Sequence, residues 1–132
     1  MTTQITGMDG TFKKKKRTLI SLSHGTYGHD DDAYGAMLVI NAIFAMGAEA
    51  SLFLRDDGIY MALKGQDPNE IGQENNLKQL ADLIDLGGKI FVLGPSLETR
   101  GIERSELIDE ITIIERTDLV KLLKEHELFI NF

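Results

Sequence analysis

The sequence predicts an α/β fold: a three-layer α/β/α domain around a mainly parallel, five-stranded sheet. Three observations predict it. Five short apolar runs punctuate the chain, at residues 18–22, 50–54, 90–93, 111–114 and 128–132. Segments with helical spacing of apolar residues lie between them, and strands alternating with helices imply parallel pairing through crossovers. The run Ile90-Phe91-Val92-Leu93 is apolar without interruption, the pattern of a strand buried on both faces.

The elements follow in order. Residues 1–12 mix Thr, Gln, Gly and Asp with little periodicity, and residues 13–17 are a basic run, Lys-Lys-Lys-Lys-Arg. Residues 1–16 are therefore expected to be a flexible leader, and 17–132 a single domain. The first strand, 18–22, enters a glycine-bearing loop, Ser23-His24-Gly25-Thr26-Tyr27-Gly28-His29. Asp30, Asp31 and Asp32 open a helix, where acids complement the helix dipole, and Gly47 stops it near Met46. On that helix Ala33, Met37, Ile40 and Phe44 share one face. Leu38, Val39, Ala42, Ile43 and Met46 form a second apolar face. A helix apolar nearly all round is covered on both sides, so the second set is expected to meet another subunit, the alternative being a second helix of the same chain.

The second strand, 50–54, is expected to end in a turn, Arg55-Asp56-Asp57-Gly58, with a short helix over 59–63. Residues 65–75 carry Gly, Pro, Asp, Asn and Gln, a surface loop. Leu77, Leu80, Ala81, Leu83 and Ile84 pattern the next helix, which stops at Gly87-Gly88. After the third strand, Gly94-Pro95-Ser96 breaks the pattern as a turn would, and one helical turn over 97–100 is closed by Gly101. The fourth strand spans 111–114, Thr117-Asp118 caps a helix to about Lys124, and 128–132 is the last strand.

Composition excludes several functions. The 132 residues suit one core, and the net charge of −7 argues against direct nucleic-acid binding. The chain contains no cysteine, so it has no disulfide, no thiolate metal site and no cysteine nucleophile of its own. No run is long and apolar enough to span a bilayer, and no signal-peptide core is present; a cytoplasmic protein is expected.

In a parallel sheet, chemistry sits at the loops leaving the strands' carboxyl ends. Those loops offer His24, Thr26, Tyr27, His29, Asp56, Asp57, Ser96 and Arg100. A hydrolase would need Ser96, a histidine and Asp57 to converge, but no Gly-x-Ser-x-Gly surrounds Ser96, and a serine after Gly-Pro more often caps a helix. Phosphate binding is opposed by the acids at 30–32, and the loop holds neither a Gly-x-Gly-x-x-Gly nor a P-loop lysine. His24, His29 and the neighbouring aspartates are ligand types without a metal-site spacing, so no metal and no cofactor are expected. A small-molecule or anion pocket at the rim is the alternative: backbone donors at Gly94 and Ser96, a cation at Arg100, and flat walls at Tyr27 and Tyr60.

The order of motifs resembles the DsrE/DsrF/TusD-type sulfur-relay family. The resemblance rests on Gly25-Thr26-Tyr27-Gly28 after the first strand, on a small-residue helix ending in glycine, and on Asp57-Gly58-Ile59-Tyr60, which is similar to the family's DGVY or DGIY turn. Arg100-Gly101-Ile102 after the third strand and a terminal strand ending in Phe132 complete it. It implies a three-layer α/β domain in a trimer or hexamer, either homo-oligomeric or joined to a cysteine-bearing relative. Active members carry sulfur as a persulfide on a cysteine eight residues before the glycine of Arg-Gly, which here is Leu93. A second cysteine of some members falls on Ser96. Neither residue holds a persulfide, so the resemblance implies a non-catalytic member, a structural or docking component of the oligomer.

Overall fold

A computed structural model describes residues 16–24, 32–72 and 75–132. Residues 1–15 of the expected leader (1–16) and the residues Gly25, Thr26, Tyr27, Gly28, His29, Asp30 and Asp31 lie outside them.

Five strands form one sheet: β1 (Arg17–Leu22), β2 (Glu49–Leu54), β3 (Ile90–Leu93), β4 (Thr112–Ile114) and β5 (Leu128–Asn131). Their order is β4-β3-β2-β1-β5, and every neighbouring pair is parallel. All carboxyl ends therefore open on one rim. The helices are α1 (Asp32–Ala45), α2 (Asn76–Asp85), α3 (Gly94–Arg100) and α4 (Leu119–Lys124).

The period-two alternation of side chains splits the core in two. Ile20, Leu22, Leu52, Leu54, Ile90 and Val92 point to one face, where α1 and α2 cover them through Ala36, Met37, Ile40, Leu80 and Leu83. Leu19, Phe53, Leu93 and Ile114 point to the other face and meet Leu122 of α4, with Phe91 and Leu119 alongside. Helix α4 has only six residues, so it covers this face in part. Val120, Leu123 and Phe129 remain exposed.

Four expectations are corrected. Gly94-Pro95-Ser96 is no turn: α3 starts directly at Gly94, because a proline in the first helical turn lacks only an N–H that would be unpaired anyway. The stretch 55–58 is likewise no separate turn; a 3₁₀ helix runs Asp56–Ala62. Its three-residue period stacks Ile59 over Ala62, and both are fully buried. Asp118 does not cap α4 from its N-terminus. It closes a 3₁₀ turn, Arg116–Asp118, reciprocally with Glu115, whose N–H donates to Asp118 Oδ2 at 2.9 Å. Within the expected loop over 65–75, Asn69–Ile71 form a further 3₁₀ turn, and Asn75 caps α2 by accepting from the Leu77 N–H at 2.9 Å.

Helix α1 divides differently from the two faces expected. Ala33, Ala36, Met37 and Ile40 are buried, and Val39, Ile43 and Phe44 pack partly against the same core. Val39 and Ile43 thus serve their own chain, because α1 lies in a groove between the sheet and α2. Leu38 (53% exposed) and Met46 (85% exposed) project into solvent together with Tyr34, and Ala42 is exposed as well. Among the described residues no helix is long and apolar enough to cross a membrane.

Candidate functional site

The carboxyl rim is knitted together around the exit of β2. The Arg55 N–H donates to the last carbonyl of β1, Leu22, at 3.1 Å. The Asp56 backbone then turns to φ 50°, a left-handed value uncommon outside glycine. The buried Ser96 hydroxyl accepts the Asp56 N–H at 2.8 Å and holds that geometry. Asp57 reaches the other way: its Oδ1 accepts from Nε and Nη2 of Arg100, each at 3.0 Å. Arg100 Nη1 donates to the Ser96 carbonyl and to Thr99 Oγ1. Gly58 lies against the end of β1, where a Cβ would stand 2.0 Å from the Leu22 carbonyl oxygen. The Asp-Gly-Ile-Tyr segment is thus a clasp. Asp57 ties it to α3, Gly58 seats it on β1, Ile59 anchors it in the core, and Tyr60 packs half-buried at the core's edge.

The residues singled out in the sequence are therefore distributed as follows. Asp57, Gly58, Gly94, Ser96 and Arg100 come together, and α3 joins them to the 3₁₀ helix. Gly94 lies beneath Glu115, whose Oε2 would be 2.5 Å from a Cβ there. Tyr60 is on the same segment but faces the core. Gly25, Thr26, Tyr27 and His29 are outside the described residues. His24 Nδ1 sits 2.5 Å from Asp32 Oδ2, away from Ser96, and among the described residues no histidine bonds the Ser96 hydroxyl. Nor do any three His, Asp or Glu side chains among the described residues gather as a metal-binding group.

Leu93 ends β3 and is 8% exposed. Its side chain joins Leu19, Phe53, Ile114 and Leu122 on the α4 face. It also lines a cleft of about 380 Å³. Phe53 and Leu93 make the floor, with Leu119, Leu123 and Phe129 as apolar walls and Arg55, Asp56 and Arg116 as charged groups. Arg55 is fixed there across three strands: Nε donates to Ser21 Oγ at 3.0 Å, Nη1 to Asp56 Oδ2 at 2.8 Å and Nη2 to Asn131 Oδ1 at 2.8 Å. Neither Arg55 nor Arg116 stands out in the sequence. The available signal was parity, since Arg55 is two residues beyond Phe53 and so shares its face. None of the lining residues carries a thiol, hydroxyl, imidazole or amine; the polar groups are two guanidinia and one carboxylate.

Comparison with known proteins follows the same architecture. The family model described as the DsrE/DsrF-like family matches residues 16–132. An uncharacterized protein of Methanocaldococcus jannaschii is 30% identical over 113 residues, 86% of this chain and 96% of that one. One of Methanopyrus kandleri is also 30% identical over 113 residues, 91% of its length. Protein TusC of Buchnera aphidicola is 29% identical over 93 residues, covering 69% of this chain and 78% of the relative. Among solved structures, the YchN protein of E. coli superposes with a TM-score of 0.76 at 21% identity, covering 90% of this chain and all of that one. A protein of unknown function from Methanobacterium thermoautotrophicum gives 0.68 at 9% identity, covering 89% and 100%. These structures share the fold, and the family match over residues 16–132, with the relatives' identity over most of their length, shows that the chain belongs to the DsrE/DsrF-like family.

Proposed function

We propose that this chain is a non-catalytic member of its family, a structural or docking subunit of a sulfur-relay-type oligomer. The observation that carries the reading is Leu93. At the end of β3, where the resemblance puts the persulfide cysteine, an isobutyl side chain is packed into the smaller core, and the chain has no cysteine elsewhere. Ser96, at the second position, is buried and bonded to the Asp56 backbone. A hydroxyl is no substitute for a thiolate as nucleophile and sulfur carrier. The similarity to a protein named TusC supports a place in the same kind of assembly. The exposed apolar residues Tyr34 and Leu38 on α1 and Met46 just past its end supply a surface for it.

Light scattering tests the reading on the purified chain, alone and mixed with cysteine-bearing relatives. The expected result is a trimer or larger homo-oligomer, or a stable mixed complex. A monomer at micromolar concentration in both settings overturns it. Covalent uptake of labelled sulfane sulfur by the chain alone overturns the non-catalytic half separately.

A further inference from the structure

We propose that the cleft on the α4 face is a binding site for a small organic anion, a carboxylate carried on an apolar body. This goes beyond the assembly reading and does not rest on it. The volume of about 380 Å³ falls at the small end of ligand sites, which run roughly 300–1,000 Å³. It is too small for a long acyl chain and larger than an inorganic ion requires.

The lining sorts into two halves that suit the two halves of such a molecule. Phe53 and Leu93 at the floor and Phe129 at the wall offer flat, apolar contact. Phe129 is 47% exposed and stands beside the floor because β5 pairs with β1 in the register Leu19↔Phe129. The charged half holds Arg55, Arg116 and Asp56. Asp56 opposes an anion, but one of its oxygens already accepts from Arg55 at 2.8 Å, and two cations against one carboxylate leave the cleft locally positive. That local sign is opposite to the net charge of −7 carried by the chain.

Arg55 is also prepared for the task. A guanidinium has five N–H donors, and the hydrogen bonds to Ser21, Asp56 and Asn131 engage three of them. The fork is held by β1, β2 and β5 at once, so little further ordering is needed to bind a carboxylate. Arg116 has no hydrogen-bond or ion-pair partner among the described residues. A neutral apolar ligand would cover the Arg116 guanidinium without pairing it, and that is unfavourable. Inorganic phosphate would leave the aromatic floor in water.

Amide NMR titration of the full chain tests this with three probes: 3-phenylpropionate, its neutral amide, and inorganic phosphate. The acid is expected to shift the amides of Phe53, Leu93 and Phe129, and the neutral amide to bind about tenfold more weakly for lack of the charge-assisted bonds. Phosphate is expected to leave the floor residues unmoved. Arg116→Gln, at an exposed position, should weaken the acid about tenfold and not the amide. Leu123→Glu at the mouth should remove binding of the acid. The proposal is overturned by the absence of any shift at the probes' solubility limit, by equal binding of acid and amide, by phosphate binding as well as the acid, or by an acid affinity indifferent to both substitutions. Light scattering on the same samples reports assembly independently, so failure of one reading is not failure of the other.

Discussion

Gly58→Ala tests the clasp that organises the rim. The added methyl would stand 2.0 Å from the Leu22 carbonyl oxygen, 2.7 Å from its carbon and 3.3 Å from Leu22 Cγ. Non-bonded heavy atoms rest at roughly 3.5 Å, so the 3₁₀ helix must retreat by more than an ångström. The obstacle is backbone and cannot swing aside. Retreat would stretch the Arg55 N–H bond to Leu22, draw the Asp56 N–H from Ser96 Oγ and pull Asp57 from Arg100. Overpacking of this kind costs about 3 kcal/mol, the upper part of its usual range. For a chain of this size the melting temperature should fall by roughly 10 °C. Differential scanning calorimetry or thermal circular dichroism measures it. Asp57→Ala is the control: it removes a partly exposed ion pair (side chains 22% and 59% exposed), which is worth at most about 1 kcal/mol. A Gly58→Ala protein melting within about 3 °C of wild type would refute the close seating of the clasp on β1.

Three further outcomes follow from the same geometry. Ser96→Ala leaves the Asp56 N–H without its acceptor at 2.8 Å; urea unfolding should register a loss of about 1–2 kcal/mol, and hydrogen exchange at the Asp56 amide should quicken. Leu93→Cys introduces a thiol at the end of β3 but truncates a side chain packed among Leu19, Phe53, Ile114 and Leu122, at a cost of about 1–3 kcal/mol. Leu93 is 8% exposed, so iodoacetamide should label the thiol of Leu93→Cys more slowly than free glutathione at pH 8; equal rates would contradict its burial. The double substitution Leu38→Glu with Met46→Glu, at positions 53% and 85% exposed, should leave far-ultraviolet circular dichroism unchanged while shifting light scattering to smaller species; an intact oligomer would move the interface off α1.

Much of the fold was legible because its strongest signals are local. All five strands fall on apolar runs, and each has a boundary within two residues of the pattern. Gly101 closes α3 in the left-handed conformation, as its place after a helical turn predicts. The failures are local as well. Gly-Pro is a breaker in most settings, yet at the head of α3 the proline fills a position whose N–H has no helical acceptor. Acids at 115 and 118 signal a cap, but which backbone they cap depends on whether the turn between them is α or 3₁₀. On α1 the period alone separates two apolar faces. It does not show that α1 lies near enough to α2 for Val39 and Ile43 to reach the shared core.

The candidate site was legible where motifs mark its parts. Asp57, Gly58 and Arg100 stood out by motif, and their pairing needs only β2 beside β3. The Arg55 cluster is of another kind. Its partners Ser21 and Asn131 lie 34 and 76 residues away, on strands that become neighbours of β2 and β1 only in the order β4-β3-β2-β1-β5. A parallel sheet puts long crossovers between its strands, so chain order leaves adjacency open. Parity then fixes the rest: once β5 is next to β1, Phe129 must share a face with Leu19, Phe53 and Leu93. Leu93 therefore owes its place at the cleft to the same parity. It makes the floor of the cleft apolar beside a guanidinium already held in place, a combination suited to contact.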